Sequence, residues 1–392
     1  MLPLLKNKHY FLLYLFATGI GDGLFFIGVG KLLSTKINFV LGISFMFILN
    51  EVSKLLFQFI FSTFESRFSM KKAILFSEIF QSTFLIAIVI FGFNIYSIYI
   101  LLSSLVVLNF FDALSKIAEF NLTLKIFDID ERKKYNSLIT TVNQSSKIVG
   151  FIIGGLILKK NFYSLLFLFN ALSFLISAGF AIFIKMVDNE IEITSSWKEL
   201  IKKENRSIIL YTFLIATNTV ILSSNSMLGF TLSTTNTRET IIYQISNALG
   251  SSIATFILSF KIFKIHKRVS ENSLVIFGLF FQGVLFLLFN LSSEISKVIV
   301  FILISSVSFF NLSLYITKLQ DYADLKFKSK VYSLRQLNRS IFNACGVLVL
   351  TILSSKLDIS YQNVVSIFCF IFCLINFLLI RKDIISYIPR EK

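Results

Sequence analysis

Charged side chains interrupt the long apolar runs of this sequence, and their chemistry sets the first expectations. Asp22 lies between Gly21 and Gly23 in the first run, with no opposite charge within a helical turn. A charge inside a hydrocarbon layer costs a few kcal/mol, so such residues face a protein interior or a wet cavity. A carboxylate in that low-dielectric environment holds a proton more readily than one in water. Asp22 is therefore a candidate for a residue that changes its protonation state.

The fourth apolar run carries three charged residues, Asp112, Lys116 and Glu119, whose i, i+4, i+7 spacing puts them on one helical face. Two interpretations stay open: the three charges neutralise one another and hold helices together, or the acids exchange protons. Lys147 is near the middle of the fifth run and needs an acid from another helix, and we predict Asp22 or Asp112 as its partner.

Other polar residues inside the runs have a structural explanation. We interpret Glu51 and Lys54, at i, i+3, as a pair satisfied within one helical turn. Arg335 and Arg339 share one face of a later run. The second half has no acidic residue in the middle of a run. It offers amide side chains instead, which commonly link helices: Asn218, Asn225, Gln244, Asn247, Gln282, Asn311, Asn338 and Asn343.

The elements that position these residues are long apolar helices. The chain has 392 residues, of which 55% are hydrophobic and 15% charged, whereas soluble domains carry about 25% charged residues. A helix needs about 20 apolar residues to cross a bilayer. We predict twelve such spans, near Tyr10–Leu33, Asn38–Ser62, Ala73–Phe93, Ser97–Phe120, Asn136–Leu158, Tyr163–Met186, Ser207–Thr231, Ile241–Phe263, Leu274–Leu291, Val298–Leu319, Tyr332–Leu353 and Val364–Ile380.

The distribution of basic residues predicts the orientation of these spans. Lys and Arg total 38 and the formal net charge is +16. With the N-terminus inside, most of them fall in the termini and in the connections on the same side, as cytoplasmic loops of membrane proteins do. We therefore expect both termini in the cytoplasm, and the charge needs no nucleic-acid partner. No signal peptide is visible, because the first run is too long for one.

The two halves of the chain repeat at an offset of about 196 residues. At this offset Lys71-Lys72 matches Lys267-Arg268, and Gly150 matches Gly346. We predict an all-α membrane protein with a six-helix bundle at 1–186, a cytoplasmic linker at 187–205 and a second six-helix bundle at 206–392. The linker is either an amphipathic helix on the membrane surface or a solvated connection.

Chemical motifs of enzymes do not occur in the sequence. There is no glycine-rich phosphate loop, no Ser–His–Asp set and no His and Cys spacing typical of a metal site. Cys345, Cys369 and Cys373 lie inside apolar runs and read as small buried hydrophobic residues. We predict no enzymatic activity, no metal and no cofactor, and energy supplied by an ion gradient.

This pattern resembles the major facilitator superfamily, and within it the exporter branch of macrolide-efflux and siderophore-exporting proteins. Gly21-Asp22 is similar to a pair in the first helix of that branch. Gly150, Gly154 and Gly155 resemble the glycines of its antiporter motif in helix 5, with Phe151 where that motif has Pro.

A second motif of the superfamily connects helices 2 and 3. Arg67, Lys71 and Lys72 match its basic positions, whereas Ser66 stands where Asp is typical. These basic residues can cap the carbonyls of a neighbouring helix and hold the cytoplasmic gate, or can simply reflect the preference for positive charge inside. The resemblance implies that the helix 5 glycines pack against the opposite half and limit leak, and simple helix packing is the alternative.

The resemblance also implies roles for the charged residues, since helices 1, 4, 7 and 10 of this superfamily line a central cavity. Asp22, Asp112 and Glu119 become candidates for carrying the coupled proton. Lys116, Lys147 and Arg339 become candidates for neutralising those acids or for receiving an acidic group on the substrate.

The resemblance implies a secondary transporter with two rocking bundles. We expect it to export a small amphipathic compound, drug-like, macrolide-like or siderophore-like, by proton antiport. Its partners would be that substrate, protons and the lipid bilayer, and we expect a monomer in the plasma membrane of a bacterium. Two alternatives stay open: an importer or facilitator of the same fold, and a membrane sensor or partner protein that transports nothing.

Overall fold

A computed structural model of the chain describes residues 2–36, 39–64, 69–91, 97–127, 129–160, 162–185, 206–231, 237–259, 271–291, 293–322, 328–357 and 359–386. These residues form twelve helices and no strand. The helices are α1 (Leu2–Lys36), α2 (Phe39–Phe64), α3 (Met70–Ile90), α4 (Ile98–Ile126), α5 (Ile129–Lys159), α6 (Tyr163–Ile182), α7 (Arg206–Thr231), α8 (Thr237–Ser259), α9 (Glu271–Leu291), α10 (Glu294–Tyr322), α11 (Lys328–Leu357) and α12 (Tyr361–Ser386).

Each helix overlaps one of the predicted apolar runs. Eleven of the twelve, all but α2, include a described window long and apolar enough to cross a membrane. Several helices extend beyond their apolar run. For example, α5 begins at Ile129, before the predicted start at Asn136. The added segment is rich in Glu, Arg and Lys, which favour helix in water, so hydropathy alone places the start too late.

The outer surface of the described helices carries many large apolar side chains. Phe76, Leu156, Phe277 and Leu374 are all more than half exposed. Soluble proteins rarely expose large apolar patches. A lipid environment accommodates such side chains, and this supports a multi-pass membrane protein.

Helix packing repeats between the two halves. In the first half α1 packs against α5 and α6, and α3 packs against α4 and α6. In the second half α7 packs against α11 and α12, and α9 packs against α10 and α12. The glycine pair of the sequence repeat follows the same rule, because Gly150 lies against α1 and Gly346 lies against Val220 of α7. The matching residues therefore occupy matching positions.

Two helix pairs supply most of the contact between the halves. These are α5 with α8 and α2 with α11. Between α5 and α8 the hydroxyl oxygens of Thr141 and Thr255 are 2.9 Å apart, within hydrogen-bonding distance. Between α4 and α11 the rings of Phe120 and Tyr332 stack with centroids 4.3 Å apart.

Candidate functional site

Asp112 of α4 forms an ion pair with a helix other than its own. Its Oδ2 lies 3.3 Å from Nζ of Lys54 on α2, and the two side chains are 22% and 29% exposed. The expectation that Lys54 pairs with Glu51 is therefore wrong. The i, i+3 spacing permits that pair, but the packing of α2 on α4 brings Lys54 to a carboxylate across the helix contact.

Asp22 lies half-buried in α1, beside this ion pair. It is within electrostatic range of Lys54, Asp112, Lys116 and Lys147. Among the described residues, no hydrogen bond or ion pair reaches its carboxylate. Asp22 is therefore surrounded by charges without being fixed to any of them, which suits a group that changes its charge.

Lys116 neutralises Glu119 within α4. Its Nζ lies 2.9 and 2.8 Å from the two carboxylate oxygens of Glu119. The three charges of α4 therefore do not form one self-contained set, since Asp112 turns to α2 and only Lys116 and Glu119 pair within the helix.

A second buried acid lies next to Glu119. The Tyr14 hydroxyl of α1 is 2.7 Å from Oε1 of Glu119 and 3.2 Å from Oε1 of Glu78 on α3. Ser177 of α6 hydrogen-bonds the other oxygen of Glu78. Glu78 is not among the residues predicted from the sequence, although it lies in the middle of an apolar run, which is the signal that identifies Asp22.

Two cations of the region have no acid bound to them. Lys147 of α5 interacts electrostatically with Asp22, Lys54, Lys116 and Arg339. The predicted ion pair of Lys147 with Asp22 or Asp112 does not form. Across the part of the chain that the structure describes, neither Lys147 nor Arg339 makes an ion pair. Both cations therefore remain available to a negatively charged group.

The neighbouring arginine of α11 has an aromatic partner instead. The Arg335 guanidinium lies 4.9 Å from the ring centroid of Tyr332, one helical turn away. This cation–π contact holds Arg335 against the ring that stacks on Phe120.

Glu51 connects the two halves. Its carboxylate is buried and accepts hydrogen bonds from Ser340 Oγ at 3.0 Å and Asn343 Nδ2 at 3.2 Å, both on α11. The role expected for Glu51, that of half an ion pair inside α2, is replaced by a link across the molecule.

The buried polar groups of the second half are uncharged, as the amide-rich sequence predicts. Asn218 donates to the carbonyl of Ser308, and Asn225 and Gln282 both hydrogen-bond the Ser308 hydroxyl. Both polar atoms of the fully buried Asn311 side chain are without a partner in the described part of the chain. The charges of the described interior thus concentrate in the first half and on α11.

The basic motif between α2 and α3 lies partly within the described residues. Nζ of Lys71 donates to the carbonyls of Ile182 and Ile184 at 2.5 and 2.9 Å, at the end of α6. This is the carbonyl capping expected for the motif. Lys72 is exposed, and Arg67 lies outside the described residues.

The helix 5 glycines face two different helices. A Cβ on Gly150 would lie 3.0 Å from Cα of Gly23, and one on Gly154 would lie 2.7 Å from Ile27, both in α1. A Cβ on Gly155 would collide with the side chain of Ile241 in α8, which belongs to the opposite half. Only Gly155 therefore packs against the opposite half, as the resemblance implies. Gly150 and Gly154 are four residues apart and share the helix face that α1 covers, whereas Gly155 lies on the adjacent face.

Solved structures share this fold at low sequence identity. The human organic anion transporter MFSD10 (TETRAN) matches with a TM-score of 0.74 and 13% identity, covering 96% of this chain and 99% of its own. The E. coli fucose:proton symporter FucP matches with a TM-score of 0.63 and 12% identity, covering 97% and 98%. These likenesses show the fold alone. A search of curated protein sequences finds no match.

A family model for the Major Facilitator Superfamily matches residues 11–347. That range includes Asp22, the charged residues of α2 to α5, the glycines of α5 and the link from Glu51 to α11. The chain belongs to the Major Facilitator Superfamily.

Proposed function

We propose that this protein is a secondary transporter that exports a small amphipathic compound, drug-like, macrolide-like or siderophore-like, in exchange for protons. Residues 1–186 and 206–392 form the two bundles that rock about a central site, with residues 187–205 as the linker between them. The protein acts as a monomer in the plasma membrane of a bacterium, with both termini in the cytoplasm.

The environment of Asp22 carries this proposal. A half-buried carboxylate beside three lysines, with no fixed partner among the described residues, can bind and release a proton without breaking an ion pair. Asp112 and Glu119 support it from α4, because each already holds a lysine that can be shared as charges change. Proton binding at Asp22 then redistributes the lysines around it.

Lys147 and Arg339, two cations of this region without a bound acid among the described residues, indicate the charge of the cargo. Lys147 and Arg339 come from α5 and α11, which belong to different halves, and they interact electrostatically. Two cations without a bound acid, among the residues that the structure describes, repel each other unless a negative group joins them. A cargo with an acidic group would neutralise both cations and would draw the halves together. Lys116, which interacts electrostatically with Glu119, Asp112 and Asp22, adds a further cation to this region.

The glycines and basic residues at the helix ends would control access. Gly155 allows α5 to approach Ile241 of α8, so this contact can close tightly. Lys71 fixes α3 to the end of α6, and with Lys72 and Arg67 it would hold the cytoplasmic gate. Export rather than import is proposed from the resemblance of Gly21-Asp22 and of the helix 5 glycines to the exporter branch.

Transport into proteoliposomes tests the mechanism directly. A panel of labelled compounds, with macrolides, iron chelators, organic anions and sugars, is offered under an imposed proton gradient. We expect wild type to move a compound against the direction of proton flow, and a protonophore to stop it. Asp22→Asn should abolish the proton-driven part of the flux. Glu294→Gln is the matched control, because this acid is exposed and forms an ion pair with Lys297 one turn further along the same helix.

Each alternative has its own result. Flux in the same direction as protons identifies an importer, and flux that ignores the gradient identifies a facilitator. Absence of flux for every compound, with the protein correctly inserted, favours the sensor or partner protein. Proton-driven flux that survives Asp22→Asn contradicts the assigned role of Asp22.

A further inference from the structure

Glu78 and Glu119 form a buried pair of acids that share one tyrosine. Glu78 and Tyr14 are fully buried, and Glu119 is 7% exposed. The Tyr14 hydroxyl lies between them, at 2.7 Å from Glu119 and 3.2 Å from Glu78. Ser177 contacts the second oxygen of Glu78 and also the carbonyl of Phe174, at 2.8 Å. Glu78 on α3 thus has groups of α1, α4 and α6 around it.

This cluster has more hydrogen-bonding contacts than hydroxyl protons to fill them. Four contacts connect the two hydroxyl groups to Glu78, Glu119 and the Phe174 carbonyl, but each hydroxyl has a single proton. If Tyr14 donates its hydroxyl proton along the shorter contact to Glu119, it has no proton left to donate to Glu78. A charged Glu78 would then depend on Ser177 alone, and a buried charge so poorly hydrogen-bonded is costly. A protonated Glu78 supplies the missing proton, because it can donate to the Tyr14 oxygen.

The surrounding charges favour the same distribution. The groups that face Glu78 from the packed helices are Tyr14 and Asp22 of α1, Lys116 and Glu119 of α4, and Ser177 of α6. Lys116 is the cation of this set, and both its contacts go to the oxygens of Glu119. Two acids that share one cation in a buried site rarely ionise together.

We propose that Glu78 and Glu119 are a proton-holding pair in which Glu78 carries the proton, Glu119 carries the charge and Tyr14 connects them. The connection also permits exchange. The Glu78 proton passes to the Tyr14 oxygen while the Tyr14 proton passes to Oε1 of Glu119, so Tyr14 stays neutral and the negative charge moves to Glu78. Lys116 then loses its partner and turns to Asp22 and Asp112, with which it interacts electrostatically. Use of this proton for transport rests on the proposed function, but its presence does not.

Infrared spectroscopy of the full-length protein in lipid, with the spectrum of each variant subtracted from that of wild type, tests the pair without any cargo. We expect wild type at neutral pH to show the carbonyl band of a protonated carboxylic acid, shifted in heavy water. Glu78→Gln should remove that band, and Glu294→Gln, at an exposed acid, should leave it unchanged. Tyr14→Phe should shift the band, because Glu78 loses its hydrogen-bond partner. Absence of a Glu78-dependent band overturns the proposal, and a band unmoved by Tyr14→Phe overturns the role of Tyr14.

Thermal unfolding provides a second test, which remains informative when a variant is less stable than wild type. Gln resembles a neutral Glu, so Glu78→Gln should melt close to wild type. Glu119→Gln removes the counter-ion of Lys116 and should melt at a clearly lower temperature. The reverse order would show that Glu78 carries the charge and would overturn the proposal. A protonated Glu78 in a protein that shows no proton-driven flux would leave this pair standing and contradict the proposed function alone.

Discussion

Two charged residues of α2 have their partners on other helices rather than on their own. Lys54 is one turn from Glu51, yet it pairs with Asp112 of α4, and Glu51 turns to Ser340 and Asn343 of α11. An i, i+3 pair on a helix surface contributes only about 0.2–0.5 kcal/mol. Contacts that also satisfy buried groups on other helices outweigh it. The chemistry of the first half therefore depends on pairs between helices.

The Lys54–Asp112 ion pair leads to a prediction about stability. Lys54→Met leaves Asp112 without its cation while keeping most of the side-chain volume. Complete burial of such a charge costs about 3–5 kcal/mol, and partial exposure reduces this, so we expect a loss of about 1–2 kcal/mol. The exchanged pair Lys54→Asp with Asp112→Lys should recover part of the loss.

Reversible unfolding in detergent measures this effect. Lys297→Met is the matched control, because its ion pair with Glu294 lies at the exposed start of α10. We expect that variant to unfold like wild type. Equal stability of Lys54→Met and Lys297→Met would show that the ion pair contributes nothing.

Among the helices, glycine positions decide how closely two elements approach. Gly150 and Gly154 let α5 lie against α1, and Gly155 lets it lie against α8. The sequence marks all three as one small-residue patch, but α5 uses them on two different neighbours. Because α1 and α8 belong to different halves of the chain, α5 contacts helices of both halves.

Replacement of Gly150 tests the close approach of α5 and α1. The Cβ of Gly150→Ala would collide with the backbone carbonyl of Ile20 and lie 3.0 Å from Cα of Gly23, and backbone atoms cannot move aside as a side chain can. We expect a loss of about 1–3 kcal/mol in unfolding free energy.

Gly179→Ala is the matched control for this comparison. Gly179 lies in α6 and a Cβ there meets nothing within 4 Å. Since Ala is the better helix former, we expect this variant to gain up to about 1 kcal/mol. If both glycine variants change stability in the same direction, close packing at Gly150 is not the cause.

At the scale of the whole molecule, one buried carboxylate connects the two halves. Glu51 accepts hydrogen bonds from Ser340 and Asn343, while α5 and α8 meet through Thr141 and Thr255. Transporters of this architecture move one bundle against the other, so contacts between bundles set the stability of each conformation. The Glu51 link therefore stabilises the arrangement seen here.

Loss of the Glu51 link should loosen α2 and α11. Glu51→Ala removes both acceptors and leaves two buried donors unpaired, each costing about 1–3 kcal/mol. Hydrogen–deuterium exchange should be roughly tenfold or more faster in the middle of α11, since about 1.4 kcal/mol corresponds to a factor of ten. Val52→Ala, at an exposed neighbour on α2, should exchange like wild type. Unchanged exchange in α11 would contradict the link.

The helices, their membrane-spanning character and the repeat of the two halves follow from the amino-acid sequence alone. Hydropathy and helix length are properties of contiguous segments, so a run of apolar residues such as the one in α6 identifies its helix without any partner. The family follows from the same local patterns and is shown by the match over residues 11–347. Orientation and direction of transport stay predictions.

Which residues contact one another depends on how the helices pack, and local sequence patterns do not predict it. The ion pair of Lys54 with Asp112, the link from Glu51 to α11 and the connection of Glu78 to Glu119 through Tyr14 each join different helices. Their distances depend on how twelve helices pack and rotate against one another. Helical periodicity fixes which residues share a face, but it does not determine which helix that face meets.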